Sequence, residues 1–454
     1  MDGVWGVRID RERFFLAAAG ALGRVLTGLL SNLQEKVLPN GLKVITKEVP
    51  SSPAISHWVW YRAGSRNELP GITGVSHWVE HMLFKGTKNF TKDQIDRLLS
   101  KHGGMYNAFT SQDHTTYFET LPAKQLDLAL RVEADRMQNA TFPPKEVEAE
   151  RTVIISEREG MENEPTYLLY EEVLSSAFKA HPYGWPVVGW TCDLKAMTRD
   201  DLYNYYQTAY SPDNAFIVLA GRFHAKEALA RMDELYGTIP RRKHPERPVT
   251  SEPAQSGERR VLVRKPGNTE YLMIAYHTPH ISHDDAFPLM ILDAIMSGAK
   301  AVRSGPGFER SGRLYRALVE KQLASAAYSN FQESVDPNIF SFFVTARSGV
   351  PAEKVEKVLI HEVERIRRRA PSAKESKRAL AQTEAQLAYA TDGVTGQAYL
   401  IGAAELHLGY QHLGKIMDKL KTVTPADVRR VAEAYLGEDN RTVGIFKPSK
   451  EAPQ

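Results

Sequence analysis

Cysteine is nearly absent from this 454-residue sequence: Cys192 stands alone. No intrachain disulfide can form, and no site built from several cysteines can hold zinc. Any metal must be held by histidine and carboxylate side chains. Long apolar runs are missing too. The longest, Phe14–Leu30, is interrupted by Arg24 and falls short of the ~20 residues a membrane-spanning helix needs. Neither sign of charge dominates: 58 Lys and Arg face 55 Asp and Glu, a net of +3. That balance gives no electrostatic footprint for nucleic acid or an acidic membrane. What is present is core material. Hydrophobic residues make up 42%, with 17 Phe, 19 Tyr and 6 Trp, which excludes a chain disordered throughout. Cys192 has no His–Cys pairing motif around it and is expected to be a small buried residue.

Arg8, Arg11 and Arg13 precede the apolar Phe14–Gly20, in the outline of a signal peptide. The A-x-A cleavage pattern is missing, and Asp10 and Glu12 interrupt the basic region. Residues 1–32 are therefore read as an N-terminal extension or a leader, with ordinary structure from Leu33. Val37–Val49 reads as two strands around the turn Pro39-Asn40-Gly41. A strand over Ala54–Arg62, a helix from Gly74 to Phe84 and a capped helix from Thr91 follow. An antiparallel pair over Tyr106–Ser111 and Thr115–Leu121 precedes two long helices, 123–140 and 144–162. A helix at 198–210, a strand at 214–220 and a helix after Ala225 close the first half.

Residues 240–257 contain Pro240, Pro245, Pro248 and Pro253, a linker composition. The pattern then restarts: strands 259–265 and 270–277, helices 285–297 and 311–322, strands 324–331 and 338–347, four helices and a strand at 441–446. Thr198, Asp201 and Asn214 recur as Thr424, Asp427 and Asn440, which suggests duplication. The expected domains are 33–239 and 258–448, with 449–454 a tail. Strands mixed with helical pairs predict an α+β fold, helices on one face of a largely antiparallel sheet, twice. The Gly298–Gly312 loop fits no nucleotide fingerprint and reads as a mobile loop. The basic run Arg367-Arg368-Arg369 reads as solvent face, with no nucleic-acid role.

The sharpest feature is His77-Trp78-Val79-Glu80-His81. On a helix His77 and His81 are one turn apart and face the same way, and Glu80 shares that face. Two such imidazoles can reach one Zn²⁺, and the carboxylate beside them can take a proton from a water the metal has acidified. The order H-x-x-E-H is the inverse of the common H-E-x-x-H. Catalytic zinc usually has three protein ligands, so a third must come from elsewhere. The glutamate-rich helix 144–162 is the source to examine, although such a run is most often a solvated face. Glu150 and Glu157 share a stripe with Ile154, while Glu148 and Glu159 share another with Ile155. Periodicity alone leaves the choice open.

Extended through Met82-Leu83-Phe84-Lys85-Gly86-Thr87, the motif resembles that of the insulinase/pitrilysin zinc peptidases. Within that family it is most similar to bacterial processing proteases and the β subunit of mitochondrial processing peptidase. Leu38-Pro39-Asn40-Gly41-Leu42, Gly103-Gly104-x-x-Asn107-Ala108 and His181-Pro182-Tyr183-Gly184 resemble further family motifs. So does Glu150-Arg151-x-Val153-Ile154-x-x-Glu157, whose last residue lies 157 − 81 = 76 positions beyond the second histidine, the family's separation. The resemblance runs from Leu33 to Pro448 and is looser in the second half.

The resemblance implies that His77, His81 and Glu157 bind Zn²⁺ and that Glu80 is the general base. Glu150 would hold a ligand histidine in its tautomer. Asn107 and Ala108 would lie on an exposed strand where an extended peptide adds itself to the sheet. The second half would be metal-free, and the two halves would enclose a chamber. A zinc metalloendopeptidase acting on peptides or unfolded segments is the expected function; the alternative is a non-catalytic core or scaffold subunit. One departure stands out. Where many relatives carry an arginine that grips the substrate backbone, with a tyrosine seven residues on, this chain has Val319 and Ala326, with Tyr328 two later. Either Arg313 or Arg316 substitutes, or a second chain supplies the grip, so a homodimer or a heterodimer with a metal-free relative is expected. The expected location is the bacterial cytoplasm, or the periplasm if residues 1–32 are a leader.

Overall fold

A computed structural model describes residues 28–242, 250–299 and 311–449. Most of the leader reading, the centre of the linker, most of the Gly298–Gly312 loop and all but the first residue of the tail lie outside the described residues. The strands are β1 (Leu33–Val37), β2 (Lys43–Glu48), β3 (Ala54–Tyr61), β4 (Met105–Thr110), β5 (Thr115–Pro122) and β6 (Ala215–Gly221). They continue with β7 (Arg259–Pro266), β8 (Tyr271–Thr278), β9 (Ala324–Phe331), β10 (Asn338–Ala346) and β11 (Arg441–Ser449). They form two sheets, ordered β1-β2-β6-β3-β5-β4 and β7-β11-β8-β10-β9. Only β2 with β6 and β7 with β11 run parallel. Without β1 the first order matches the second step for step.

The repeated triad explains part of that match. Thr198 and Thr424 each accept a hydrogen bond from the backbone N–H three residues on, Asp201 and Asp427, whose carboxylates accept in return. Asn214 and Asn440 then each donate to a carbonyl five residues back, at 2.7 Å, before β6 and β11 begin. The same cap and the same Asn turn feed the same central strand twice.

The first-half helices are α1 (Val75–Met82), α2 (Lys92–Lys101), α3 (Leu126–Asn139), α4 (Pro144–Glu162), α5 (Pro165–Ala177), α6 (Thr191–Ala196), α7 (Arg199–Ala209) and α8 (Ala225–Tyr236). The second half has α9 (Ala286–Ser297), α10 (Ala352–Arg368), α11 (Ala373–Ala390), α12 (Gly393–His407), α13 (Leu413–Thr422) and α14 (Pro425–Tyr435). One face of the first sheet, with Val44, Val59, Tyr117 and Ile217, packs on helices of its own half. Its other face, with Trp58, Trp60, Phe216 and Val218, shares a core with Ala398 and Ile401 of α12. The second sheet reciprocates: Met273, Ala275 and Phe446 pack on Leu169, Val173 and Leu174 of α5. Each half thus lends a helix to the other's sheet. Glycine permits both approaches. A Cβ on Gly402 would come within 2.4 Å of the Trp60 ring, and one on Gly444 within 2.3 Å of Val173.

A polar clasp joins the halves beside this exchange. Asp336 accepts from Arg66 Nε at 2.9 Å and contacts His181 Nε2 at 3.1 Å. Tyr183 donates to Asp113 at 2.5 Å and accepts from the Asp336 backbone N–H at 3.1 Å. The second carboxylate oxygen of Asp113 accepts from the Val335 backbone N–H. The His181-Pro182-Tyr183-Gly184 stretch therefore works at the junction of the two halves.

Some expectations need correcting. Packing starts before Leu33, since Leu29 is buried in the core that spans both halves. The helix expected over 311–322 is a short π turn, Tyr315–Val319, that ends before Gln322 takes φ 60°. Five helices, α10–α14, follow β10 where four were expected; two of them are parted at Thr391–Asp392, before Gly393 takes φ 73°. Helix α5 was not foreseen at all. Cys192 is exposed rather than buried, because it sits in the first turn of α6 facing outward, donating to Asp193.

Hydrogen bonding to His181 and the Arg66 charge hold the Asp336 carboxyl down to about 2. A depressed carboxylate contributes stability that is present above its unfolded value, ~3.9, and is lost as pH falls through the folded value. Asp336→Asn is expected to lower the thermal midpoint at neutral pH. It should also flatten the loss of stability between about pH 4 and pH 2, read by scanning calorimetry of parent and variant.

Candidate metal centre

Helix α1 starts at a tight place. Gly74 has φ 86°, and a Cβ there would lie 2.3 Å from the Val188 carbonyl oxygen. The buried Glu68 carboxylate accepts from the N–H groups of Gly74 at 2.7 Å and Ser76 at 2.9 Å, satisfying donors that a helix start leaves open. Val75, Trp78, Val79 and Met82 are buried in the first-half core. That fixes the rotation of α1 and turns His77 and His81 toward α4.

Helix α4 opens on Pro144, suited to a first turn. Its buried residues, Val147, Glu150, Ile154 and Arg158, recur at helical spacing. Glu157 lies beside that stripe, and its carboxylate is 3.8 Å from His77 Nε2 and 3.6 Å from His81 Nε2. One donor atom from each of the three residues falls within 4.8 Å of the others. Ligands of a tetrahedral Zn²⁺ sit roughly 3.3 Å apart, so a small inward adjustment would let these two imidazoles and one carboxylate hold a divalent ion. The other glutamates of α4 are engaged elsewhere or exposed. Glu146 meets Lys92 at 3.1 Å, Glu148 meets Arg151 at 2.9 Å, and Glu159 faces solvent.

Glu150 is buried and touches His81 Nδ1 at 3.0 Å. A carboxylate there sets the proton on Nδ1 and leaves Nε2 free as a ligand. The other oxygen of Glu150 pairs with Lys85, one turn beyond His81. Burial, aided by the neighbouring His81, pushes the His77 imidazole down to about 3, so it is neutral at pH 7, the form that ligates metals. Burial pushes the Glu80 carboxyl up, with Glu157 adding to the rise while Thr110 and His81 oppose it. Thr110 donates to Glu80 at 2.6 Å, and Tyr117 donates to the Glu80 carbonyl at 3.2 Å.

Asn107 and Ala108 lie on β4, the outermost strand of the first sheet. Asn107 is exposed, and its side-chain oxygen accepts from the Ala108 N–H at 2.9 Å. Just past β4, the hairpin residues Ser111–His114 line a cavity of about 670 Å³ between the halves. Phe287, Tyr328 and Tyr399 line it from the second half. Arg313 is buried in a two-pronged pair with Glu375, at 2.8 and 3.2 Å, while Arg316 is exposed.

Sequence reasoning missed Thr110 and Lys85. Lys85 had a signal, since a basic residue four after His81 falls on the same helical side. Thr110 had none, because its role depends on β4 crossing the end of α1.

Residues 43–190 match the family described as Insulinase (Peptidase family M16), and residues 196–383 match the Peptidase M16 inactive domain. A zinc protease named PqqE from Helicobacter pylori is 27% identical over 425 residues, covering 90% of this chain and 92% of the relative. A probable mitochondrial-processing peptidase subunit beta from Arabidopsis thaliana is 26% identical over 419 residues, covering 92% of this chain and 78% of the relative. The crystal structure of a protease from Helicobacter pylori has a TM-score of 0.87 at 26% identity, covering 92% of this chain and 99% of that one. The chain belongs to the M16 insulinase family of peptidases, with its match to the family's inactive domain following the match to the peptidase domain.

Proposed function

We propose that this chain is a zinc-dependent metalloendopeptidase that cuts extended peptides or unfolded segments. The observation that carries the reading is the meeting of His77, His81 and Glu157 within 4.8 Å, next to a buried carboxylate, Glu80, that no cation neutralises among the described residues. In that reading His77, His81 and Glu157 hold Zn²⁺. Bound zinc supplies Lewis-acid polarisation and lowers the pKa of water to ~7. Glu80 takes the proton of the attacking water and delivers it to the leaving amine, and its raised proton affinity suits both steps. Thr110 holds the carboxylate in place, and Glu150 holds His81.

The substrate adds as a strand along β4. The Ala108 N–H, capped by its neighbour's side chain, would be released to an incoming carbonyl. Backbone pairing of this kind needs an extended chain and reads little sequence. A second chain is part of the reading. Val319 offers no hydrogen-bond donor on its side chain, and Arg313 is committed to Glu375. The substrate grip then comes from the exposed Arg316 or from a dimer partner, either another copy or a metal-free relative.

Metal analysis joined to hydrolysis of a quenched peptide, with and without chelator, tests the whole reading. About one zinc per chain and chelator-sensitive cleavage are expected; metal-independent cleavage would overturn the mechanism, and zinc binding without cleavage would favour the scaffold role. Glu80→Gln should keep the zinc and lower kcat by ~10²–10⁴-fold, since proton transfer alone is removed. Normal turnover in that variant would remove Glu80 from the mechanism.

Competition with a chromophoric chelator should rank the acidic residues of α4. Glu157→Gln weakens zinc binding most, Glu150→Gln by ~10–100-fold, and Glu159→Gln not measurably. Equal losses at 157 and 159 would leave Glu157 without its assigned role.

Unfolded peptides should be cut while a tightly folded domain carrying the same internal sequence is spared. Fast cleavage of the folded domain, followed by mass spectrometry, would argue against binding along β4.

A further inference from the structure

Glu157 is held by little of its own. Its side chain is 40% exposed, and among the described residues its carboxylate meets only the two imidazoles. Its place is therefore set by the backbone of the last turns of α4, which ends at Glu162. The next residue, Arg158, is anchored from every side. It is 3% exposed, and Nη2 donates to Glu171 Oε1 at 2.7 Å while Nη1 donates to the other oxygen. Nε donates to Glu162 at 2.8 Å, and the guanidinium lies 5.4 Å from the Trp190 ring centre. Glu171 is itself buried, midway along α5. The apolar residues of α5 pack on β8 and β11 of the metal-free half.

We infer that the Arg158–Glu171 pair is a positioning link, through which the metal-free half fixes the place of Glu157. The inference rests on the metal reading proposed above. A two-pronged guanidinium–carboxylate pair fixes direction as well as distance. Helix α5 is seated on the second sheet, so Glu171 reports where that sheet lies. Arg158 then passes the position to the residue before it. The second half, which has no metal motif, acquires a task in the first half's chemistry.

Zinc affinity of the full chain tests the link, measured by chelator competition beside far-UV circular dichroism. Glu171→Gln keeps the shape and removes the charge. Because that leaves a buried guanidinium without its counter-charge, Arg158→Met with Glu171→Leu removes both charges together. Gly444→Ala on β11 presses on Val173 of α5 from the second sheet, far from the metal ligands in sequence. Each of the three should weaken zinc binding, in the ~10–100-fold range seen when a supporting contact is lost, with helix content kept. Glu162→Gln, which removes a contact inside α4 alone, should change it far less. A folded double variant with the parent's zinc affinity would overturn the link. If the parent binds no zinc, the metal reading fails instead, and hydrogen exchange over residues 156–162 decides. Faster exchange in the double variant sustains the link, and unchanged exchange removes it.

Discussion

Two helices lying side by side make the candidate site possible, because neither α1 nor α4 brings together three candidate ligands alone. Helix α1 supplies the imidazole pair through its own geometry, since a spacing of four residues is close to the ~3.6 of one turn. The carboxylate must arrive from α4 at the right height and rotation. A slip of one residue along α4 would move Glu157 by ~1.5 Å and turn it by ~100°. Glu150 guards against that slip. It is buried between His81 and Lys85, and a buried carboxylate is tolerated only where its partners stay in reach. The residue that orients His81 thereby also keys the two helices together.

The second half looks dispensable if one counts ligands, and it is not. Its helix α12 covers the aromatic face of the first sheet, where Trp58 stacks on Phe118 at 4.2 Å and meets Tyr399 edge-on at 5.7 Å. Burying one such large side chain is worth ~1.5–3 kcal/mol, so a face of several cannot be left to water. In return α5 closes the second sheet. Asp336, Asp113 and Tyr183 fasten the junction, and residues of both halves wall the cavity. Losing a metal motif in one half would leave these duties intact.

Much of this was legible in the sequence, for physical reasons that differ by element. The H-x-x-E-H cluster was readable because it is local: one helix places all three side chains. The duplication showed through Thr198 and Thr424, since helix caps and Asn turns are local devices as well. Glu157 was not readable from spacing, as Glu159 lay on an equally plausible stripe. Only the family resemblance separated them, and in three dimensions the Glu157 carboxylate points at the imidazoles while Glu159 faces solvent. Helices α5 and α12 were harder. A helix wedged between two sets of neighbours carries apolar residues around most of its circumference and shows no single stripe. Buried α12 residues such as Ala398, Leu400 and Leu406 fall on different sides of the helix. Helix α5 went unseen, and five helices follow β10 where four were expected. Thr110 and the Arg158–Glu171 pair involve residues that only the folded chain brings together.

The exchange of helices also has a consequence during synthesis. The first sheet is complete in sequence once Gly221 has left the ribosome, yet its cover, α12, ends at His407. Roughly 190 residues separate the two, or ~10–40 s of elongation at ~5–20 residues per second. For that interval Trp58, Trp60 and Phe118 present an uncovered aromatic face to a crowded solution, the kind of surface that holding chaperones bind. The nascent first half cannot finish its core early, so the order of translation delays assembly of the complete molecule until its last third has emerged.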